Sequence, residues 1–267
     1  MSTAQPLSYS VEAYNLSHSS ENKIHDDTVA RQFGFSGGLV PGVEVFAYAS
    51  QVPLAYFGPS FLERGRIECR FLKPVYDGKV ATVTGTPAEN DTLDLLVESD
   101  GIRCAAGQAA MTLEPTYPSV DGRLPVLPPD DRPPADETSL AVGRTLWTRP
   151  GVLTVDRLEA YLRDAREQHD IYRKERLAHC GLLLRLCNDA LKDNVELPPW
   201  IHTGSNMQLL GLARVGDELL VRATVVANYD RKGHRFVDLD CQVFANGDKP
   251  IAQVDHTAIY RLRQSEA

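Results

Sequence analysis

Residues Leu39 to Tyr56 read L-V-P-G-V-E-V-F-A-Y-A-S-Q-V-P-L-A-Y. The run is apolar almost throughout and long enough for a helix buried on every side. Pro41 and Gly42 at its start suit a helix N-terminus. Working outward, three β-like runs follow: Ile67 to Leu72, Lys79 to Pro87 and Thr92 to Ser99. Asp100-Gly101 is then a strong hairpin signal leading into Arg103 to Leu113.

The plan occurs a second time. Val155 to Asn194 reads as helical, and Leu182-Leu183-Leu184-x-Leu186 is its most apolar part. Strands are expected at Ile201 to Leu212, Glu218 to Tyr229 and Arg235 to Ala245, and Asn246-Gly247-Asp248 turns the chain into Pro250 to Leu262. One apolar helix followed by an antiparallel meander, twice over, predicts an α+β protein in which each sheet wraps a central helix. Residue matches support a repeat. Val11-Glu12-Ala13-Tyr14 is echoed by Leu158-Glu159-Ala160-Tyr161, and Ile24-His25 by Ile171-Tyr172, both 147 positions on. Pro41-Gly42 meets Cys180-Gly181, and Phe71-x-x-Pro74-Val75 meets Leu210-x-x-Ala213-Arg214, both 139 positions on. The change of spacing removes eight residues from the second copy, between Tyr172 and Gly181.

Seven of the 17 prolines fall between Pro115 and Pro134. Proline fixes φ and removes a donor, so this stretch is read as an extended connector, neither helix nor central strand. The expected organisation is a first unit over 1–115, a connector over 116–143 and a second unit over 144–267.

Composition bounds the function. The 267 residues are 43% hydrophobic and 24% charged, enough to bury a core without disulfide or metal staples. No run approaches the ~20 apolar residues of a membrane span. The N-terminal residues lack the basic and apolar regions of a secretory signal, so a cytoplasmic protein without membrane contact is expected. Cys69, Cys104, Cys180, Cys187 and Cys241 form an odd set without metal-ligand spacing and read as reduced thiols. A net charge of −8 disfavours nucleic acid as a partner.

Chemistry concentrates in Ser17 to Gly42: S-H-S-S-E-N-K-I-H-D-D-T-V-A-R-Q-F-G-F-S-G-G-L-V-P-G. Asn22, Ile24, His25, Asp27, Ala30, Gly34, Phe35 and Gly42 stand in the order of a known pattern. That pattern is Asp-x-Asn-Pro-Leu-His, an acidic residue two on, an alanine, Gly-Phe, and a glycine opening the helix. Here the chain resembles the MaoC-like, or (R)-specific enoyl-CoA hydratase, branch of the hotdog superfamily. Phe71-Leu72-Lys73-Pro74-Val75 extends the resemblance more loosely, with Asp77-Gly78 transposed against the family's order.

The resemblance implies a double hotdog, two helix-wrapped antiparallel sheets forming an intrachain pseudo-dimer, as a monomer or as a homodimer of such units. It implies hydration or dehydration of an acyl thioester carried on CoA or on acyl carrier protein, with no cofactor and no metal. His25 becomes the acid/base candidate, the Gly42 N–H the oxyanion donor and Asn22 a positioning residue. Gly38, Pro41 and Val43 flank that helix start as substrate-binding candidates. The family's catalytic aspartate falls on Ser20, whose hydroxyl is no general base near neutral pH, and Glu21 beside it is the nearest carboxylate. Pro41 stands where many relatives have histidine. The alternatives are a thioesterase or other single-base thioester enzyme, and a non-catalytic acyl-CoA-binding protein.

Plainer readings stand beside these. Asn22 and Asp26 would serve as turn and cap residues, and Gly42 as a point of close packing. Asp164 and His169 repeat the family's five-residue spacing but belong to a helical, charge-rich segment. His179-Cys180 reads as core, and Arg173-Lys174-Glu175-Arg176 as an exposed turn or a meeting point for CoA phosphates. Phe33, Phe35, Phe46, Tyr48, Tyr56 and Phe57 would line an acyl pocket or simply fill the core.

Overall fold

The structure, a computed structural model, describes residues 7–118 and 125–263. β1 (Leu7–Glu12) leads through a 3₁₀ turn (Lys23–His25) to α1 (Asp27–Gln32), α2 (Gly42–Phe57) and α3 (Phe61–Arg64). Then come β2 (Gly65–Phe71), β3 (Val80–Pro87), β4 (Thr92–Ser99) and β5 (Ile102–Met111). The second half begins with β6 (Thr145–Trp147), β7 (Gly151–Val152), α4 (Val155–Asp164), α5 (Ile171–Lys174) and α6 (Cys180–Lys192). It closes with β8 (Ile201–Leu209), β9 (Glu218–Arg231), β10 (His234–Ala245) and β11 (Lys249–Arg261).

Among the described residues the strands form one sheet in the order β1-β3-β4-β5-β2-β8-β11-β10-β9-β6, with β7 beside β9. Read inward from either end, the two halves present the same succession of neighbours. They join where β2 pairs antiparallel with β8 and Glu68 faces Asn206. The isolated bridge Leu39–Tyr76 recurs as Leu177–Arg214. The bond from Val40 N to Val75 O (2.9 Å) recurs from Ala178 N to Ala213 O (2.9 Å). Each relation advances by 138 positions (177 less 39, 178 less 40, 206 less 68).

This geometry corrects the repeat read from residue matches in two ways. The register differs by one, so Pro41 corresponds to His179 and Gly42 to Cys180, each pair being the N-cap and first residue of its helix. The match of Val11–Tyr14 with Leu158–Tyr161 sets strand β1 against helix α4 and is coincidental. The helical reading of Val155 to Asn194 also breaks into α4, α5 and α6. Arg166 and Arg176 take positive φ (57° and 53°) and end the first two. Those breaks turn Glu167 and His169 back toward α2, which a continuous helix would not do.

Each half of the sheet wraps its helix closely. In α2 every residue from Val43 to Leu54 is buried, and β3 turns Ala81, Val83 and Gly85 inward. A side chain at Gly85 would come 2.5 Å from Val52 Cγ1, so the bare glycine permits that approach. The central helices α2 and α6 are tied by an ion pair, Arg185 Nε donating to Glu44 Oε1 at 2.6 Å. The described part of the Pro-rich stretch is irregular and lies along residue 196: Glu196 N donates to Pro133 O and Ala135 N to Glu196 O (2.8 and 2.9 Å). Residues 119–124 of that stretch lie outside the described residues. No helix among the described residues is long and apolar enough to cross a membrane.

Candidate active site

The 3₁₀ turn places His25 beside the start of α2. Its Nδ1 lies 2.7 Å from Leu39 O. A carbonyl can only accept, so Nδ1 carries the proton and Nε2 keeps a lone pair. Asn22 caps the turn, as the plainer reading held, accepting from Ile24 N. Its amide also bridges the two halves: Nδ2 donates to Trp200 O (2.9 Å) and Oδ1 accepts from Trp200 N (3.2 Å). The same Nδ2 lies 3.3 Å from His25 Nε2. Asp26 is purely a cap, bonding the N–H groups of Thr28 and Val29 at the start of α1.

His25 is buried, and burial is the main reason its pKa is lowered to about 4. The bond to Leu39 opposes that shift, and Arg185 adds to it. Near neutral pH His25 is therefore an uncharged base.

Two cavities meet at this histidine. The first has mostly apolar walls that include Phe35, Phe71, Val75, Ile259 and Leu262. The second is polar, with Arg132, Arg185, Asp189 and Lys192 among its walls. Asn22, His25, Pro41, Asn188 and Trp200 border both. Gly42 faces the first cavity and Val43 the second.

The helix end between the cavities is open. Pro41, as N-cap, makes no side-chain bond to it. Helix geometry leaves the N–H groups of Gly42 and Val43 without intrahelical acceptors, at the positive end of the helix dipole. The corresponding end of α6 is closed: His179 Nδ1 accepts from Gly181 N at 3.0 Å. His179 Nε2 in turn donates to buried Glu167 at 2.8 Å. A side chain at Gly181 would overlap Tyr161 Oη, so no space adjoins that helix start. The helix start that Pro41 leaves open is thus closed in the second half by a histidine turned inward as a cap.

Ser20 and Glu21 border the polar cavity, but both are engaged: Ser20 Oγ donates to Asn22 O (3.3 Å) and Glu21 pairs with Arg132 (3.2 Å). Gly38 lies behind His25; its N–H donates to Asp27 Oδ1 (2.7 Å), and a side chain there would strike the His25 carbonyl. Asp164 pairs with its neighbour Arg163, and His169 Nε2 meets Gln51 O at 3.2 Å. In the basic cluster Arg173 pairs with Glu159 and Lys174 with Asp170. Of the six aromatic residues considered, Phe35 borders the apolar cavity, Phe46 and Tyr48 are core, and Tyr56 is exposed. Among the described residues no three His, Cys, Asp or Glu side chains converge as metal ligands.

Sequence reasoning missed Asn188, Trp200 and His202, which the second half sends into the apolar cavity. Asn188 Oδ1 and His202 Nδ1 are buried without a hydrogen-bond partner. No local signal marks them, since they reach the site only through the pairing of the halves.

No family model matches the chain, and no curated protein matches its sequence. Solved structures do match its shape. A MaoC-domain protein named as a dehydratase from Chloroflexus aurantiacus is 11% identical, with a TM-score of 0.61 over 98% of this chain and 96% of that one. A conserved protein of Mycobacterium tuberculosis described with a double hotdog fold is 13% identical, TM-score 0.66, over 97% and 96%. A protein named as an oleoyl thioesterase from Lactobacillus plantarum is 11% identical, TM-score 0.54, over 98% and 99%. The chain has the double hotdog fold, and its structural neighbours include MaoC-like dehydratases and thioesterases.

Proposed function

We propose that this chain acts on acyl thioesters as a hydratase or dehydratase, with CoA or acyl carrier protein bearing the acyl group. The observation that carries the reading is the buried, uncharged His25 beside the uncapped start of α2, where the two cavities meet. The thioester carbonyl would accept from Gly42 N–H, which polarises it and acidifies the α-carbon. In dehydration His25 Nε2 takes the α-proton, the C=C bond forms as the β C–O bond breaks, and the same nitrogen returns the proton to the leaving hydroxyl. Hydration is the reverse. Asn22 fixes the imidazole edge through Trp200. The apolar cavity suits an acyl chain, and Lys73 on its wall suits a phosphate of the carrier.

Hydrolysis of the thioester is the second reading. It is favoured by Ser20 at the aspartate position, with Glu21 held by Arg132. Hydrolysis needs only one base, and His25 would then activate water toward the carbonyl carbon. A panel of saturated, enoyl and 3-hydroxyacyl CoA thioesters separates the readings. Change in enoyl absorbance without thiol release supports the first, thiol release the second. Binding without conversion of any member overturns both in favour of a non-catalytic acyl-CoA-binding protein.

A further inference from the structure

His202, Ser205 and His256 form a buried hydrogen-bonded chain directly behind Gly42. His202 Nε2 lies 2.8 Å from Ser205 Oγ and 3.1 Å from Gly204 O. Ser205 Oγ lies 3.0 Å from His256 Nδ1. The two imidazoles stack, with ring centroids 4.3 Å apart. Residues three apart on a regular strand face opposite sides of a sheet. Here the register of β8 against β11 slips between Gly204 and His202, and that bulge brings His202 and Ser205 to one face.

The chain has a direction. Gly204 O can only accept, so His202 Nε2 carries its proton, and Nδ1 is left as a lone pair. Ser205 then accepts from His202 and donates to His256 Nδ1. His202 Nδ1 has no partner, although the residue is 6% exposed. It lies so close to Gly42 that a side chain there would come within 2.9 Å. The Phe71 ring, half-buried at the end of β2 and part of the same cavity wall, is packed edge-on against the imidazole (4.8 Å). A buried acceptor without a donor costs free energy, and such groups in native proteins call for a functional explanation.

We propose that His202 Nδ1 is the acceptor that binds the reacting water or departing hydroxyl, in the place that Ser20 leaves without a carboxylate. This inference rests on the hydratase reading given above. Turning of the Phe71 ring opens Nδ1 to the apolar cavity, where an O–H of the water donates to it. The oxygen is then oriented toward the β-carbon, while His25 takes and returns the one proton that moves. His202 ends each turnover as it began, neutral with its proton on Nε2. Ser205 and His256 are positioning residues that hold this tautomer.

The test compares wild type, His25→Ala, His202→Leu, His202→Asn and Ser205→Ala with crotonyl-CoA and 3-hydroxybutyryl-CoA and with longer-chain homologues. Thermal melting of each variant is followed in parallel. Leucine removes the orphaned acceptor along with the Nε2–H bonds to Gly204 and Ser205, two effects of opposite sign on melting, so melting should shift little while kcat falls about 100-fold with little change in KM. Asparagine sets an amide oxygen near the place of Nδ1 and should restore a good part of that loss. Ser205→Ala should lower kcat by a smaller factor. If His25→Ala abolishes turnover while His202→Leu stays within threefold of wild type, this inference fails and the reading of the site stands. If His202→Leu and His202→Asn lower melting and kcat in parallel, His202 is structural. If wild type converts none of these thioesters, the hydratase reading fails and takes this inference with it.

Discussion

His179 Nδ1 accepts the Gly181 N–H at 3.0 Å and so closes the N-terminus of α6 from within. At the corresponding point of the first half stands Pro41, which has no side-chain acceptor to offer the N–H groups of Gly42 and Val43. The two halves share a backbone plan and differ at the atoms that meet the helix dipole. In one half a histidine consumes the helix end and is itself held by Glu167. In the other the helix end is left free beside His25. One sealed and one open helix start account for a single candidate site in a chain built as two similar units.

The sealed half is a stability element. Glu167→Ala leaves His179 facing no carboxylate and Gln51 without its acceptor. Leaving buried donors without their acceptor typically costs about 1–3 kcal/mol. Thermal denaturation should therefore show a clear loss of stability, with kcat per folded molecule unchanged.

Gly42→Ala tests the open helix start. The added methyl would come 2.9 Å from both His202 Nδ1 and the Phe71 ring. Overpacking of this kind costs about 1–3 kcal/mol. The larger effect is expected on kcat/KM, because the N–H donor shifts along with the backbone. A variant destabilised by that amount yet fully active would remove Gly42 from the site.

Acid should act on stability before it acts on the base. The His25 pKa is lowered from 6.5 to about 4 and that of His256 to about 3, burial being the main cause in each case. Between about pH 6.5 and 4 the unfolded chain binds protons that the folded chain refuses, so stability falls as pH falls through that window. His25 alone contributes on the order of 3 kcal/mol across it. Urea denaturation at pH 7, 6 and 5 should give falling midpoints. kcat on the folded protein should hold down to about pH 5, since the base stays neutral until near its folded pKa.

Lys73 is an exposed cation on the apolar cavity wall. Lys73→Glu should raise KM for CoA thioesters severalfold and leave kcat nearly untouched, with the difference shrinking as salt is added. An unchanged KM at low salt would place the carrier's phosphates elsewhere.

Much of the fold was legible because its signals are local. Leu93, Leu95 and Val97 recur at every second position of Thr92 to Ser99 and mark the buried face of a strand. Asp100-Gly101 and Asn246-Gly247 demand positive φ at both turn positions and adopt it. The order of residues in the His25 loop could be read because they lie within one short segment, Ser17 to Gly42. The rest depends on contacts across the chain. The amphipathic pattern of 155–194 does not reveal that α4 and α5 end so that Glu167 can reach His179. A bulge at residue 203 aims His202 into the same cavity as His25, and strand periodicity gives no hint of it. Trp200 borders both cavities and is tied to the His25 turn by backbone bonds to the side chain of Asn22.

The central claim is that the lone pair on His25 Nε2 carries the chemistry. The direct measurement is kcat of His25→Ala against wild type on the best thioester of the panel, with circular dichroism and melting to show an intact fold. The account predicts a loss of at least about 100-fold with the fold retained. Turnover within a fewfold of wild type in a folded His25→Ala protein would contradict it.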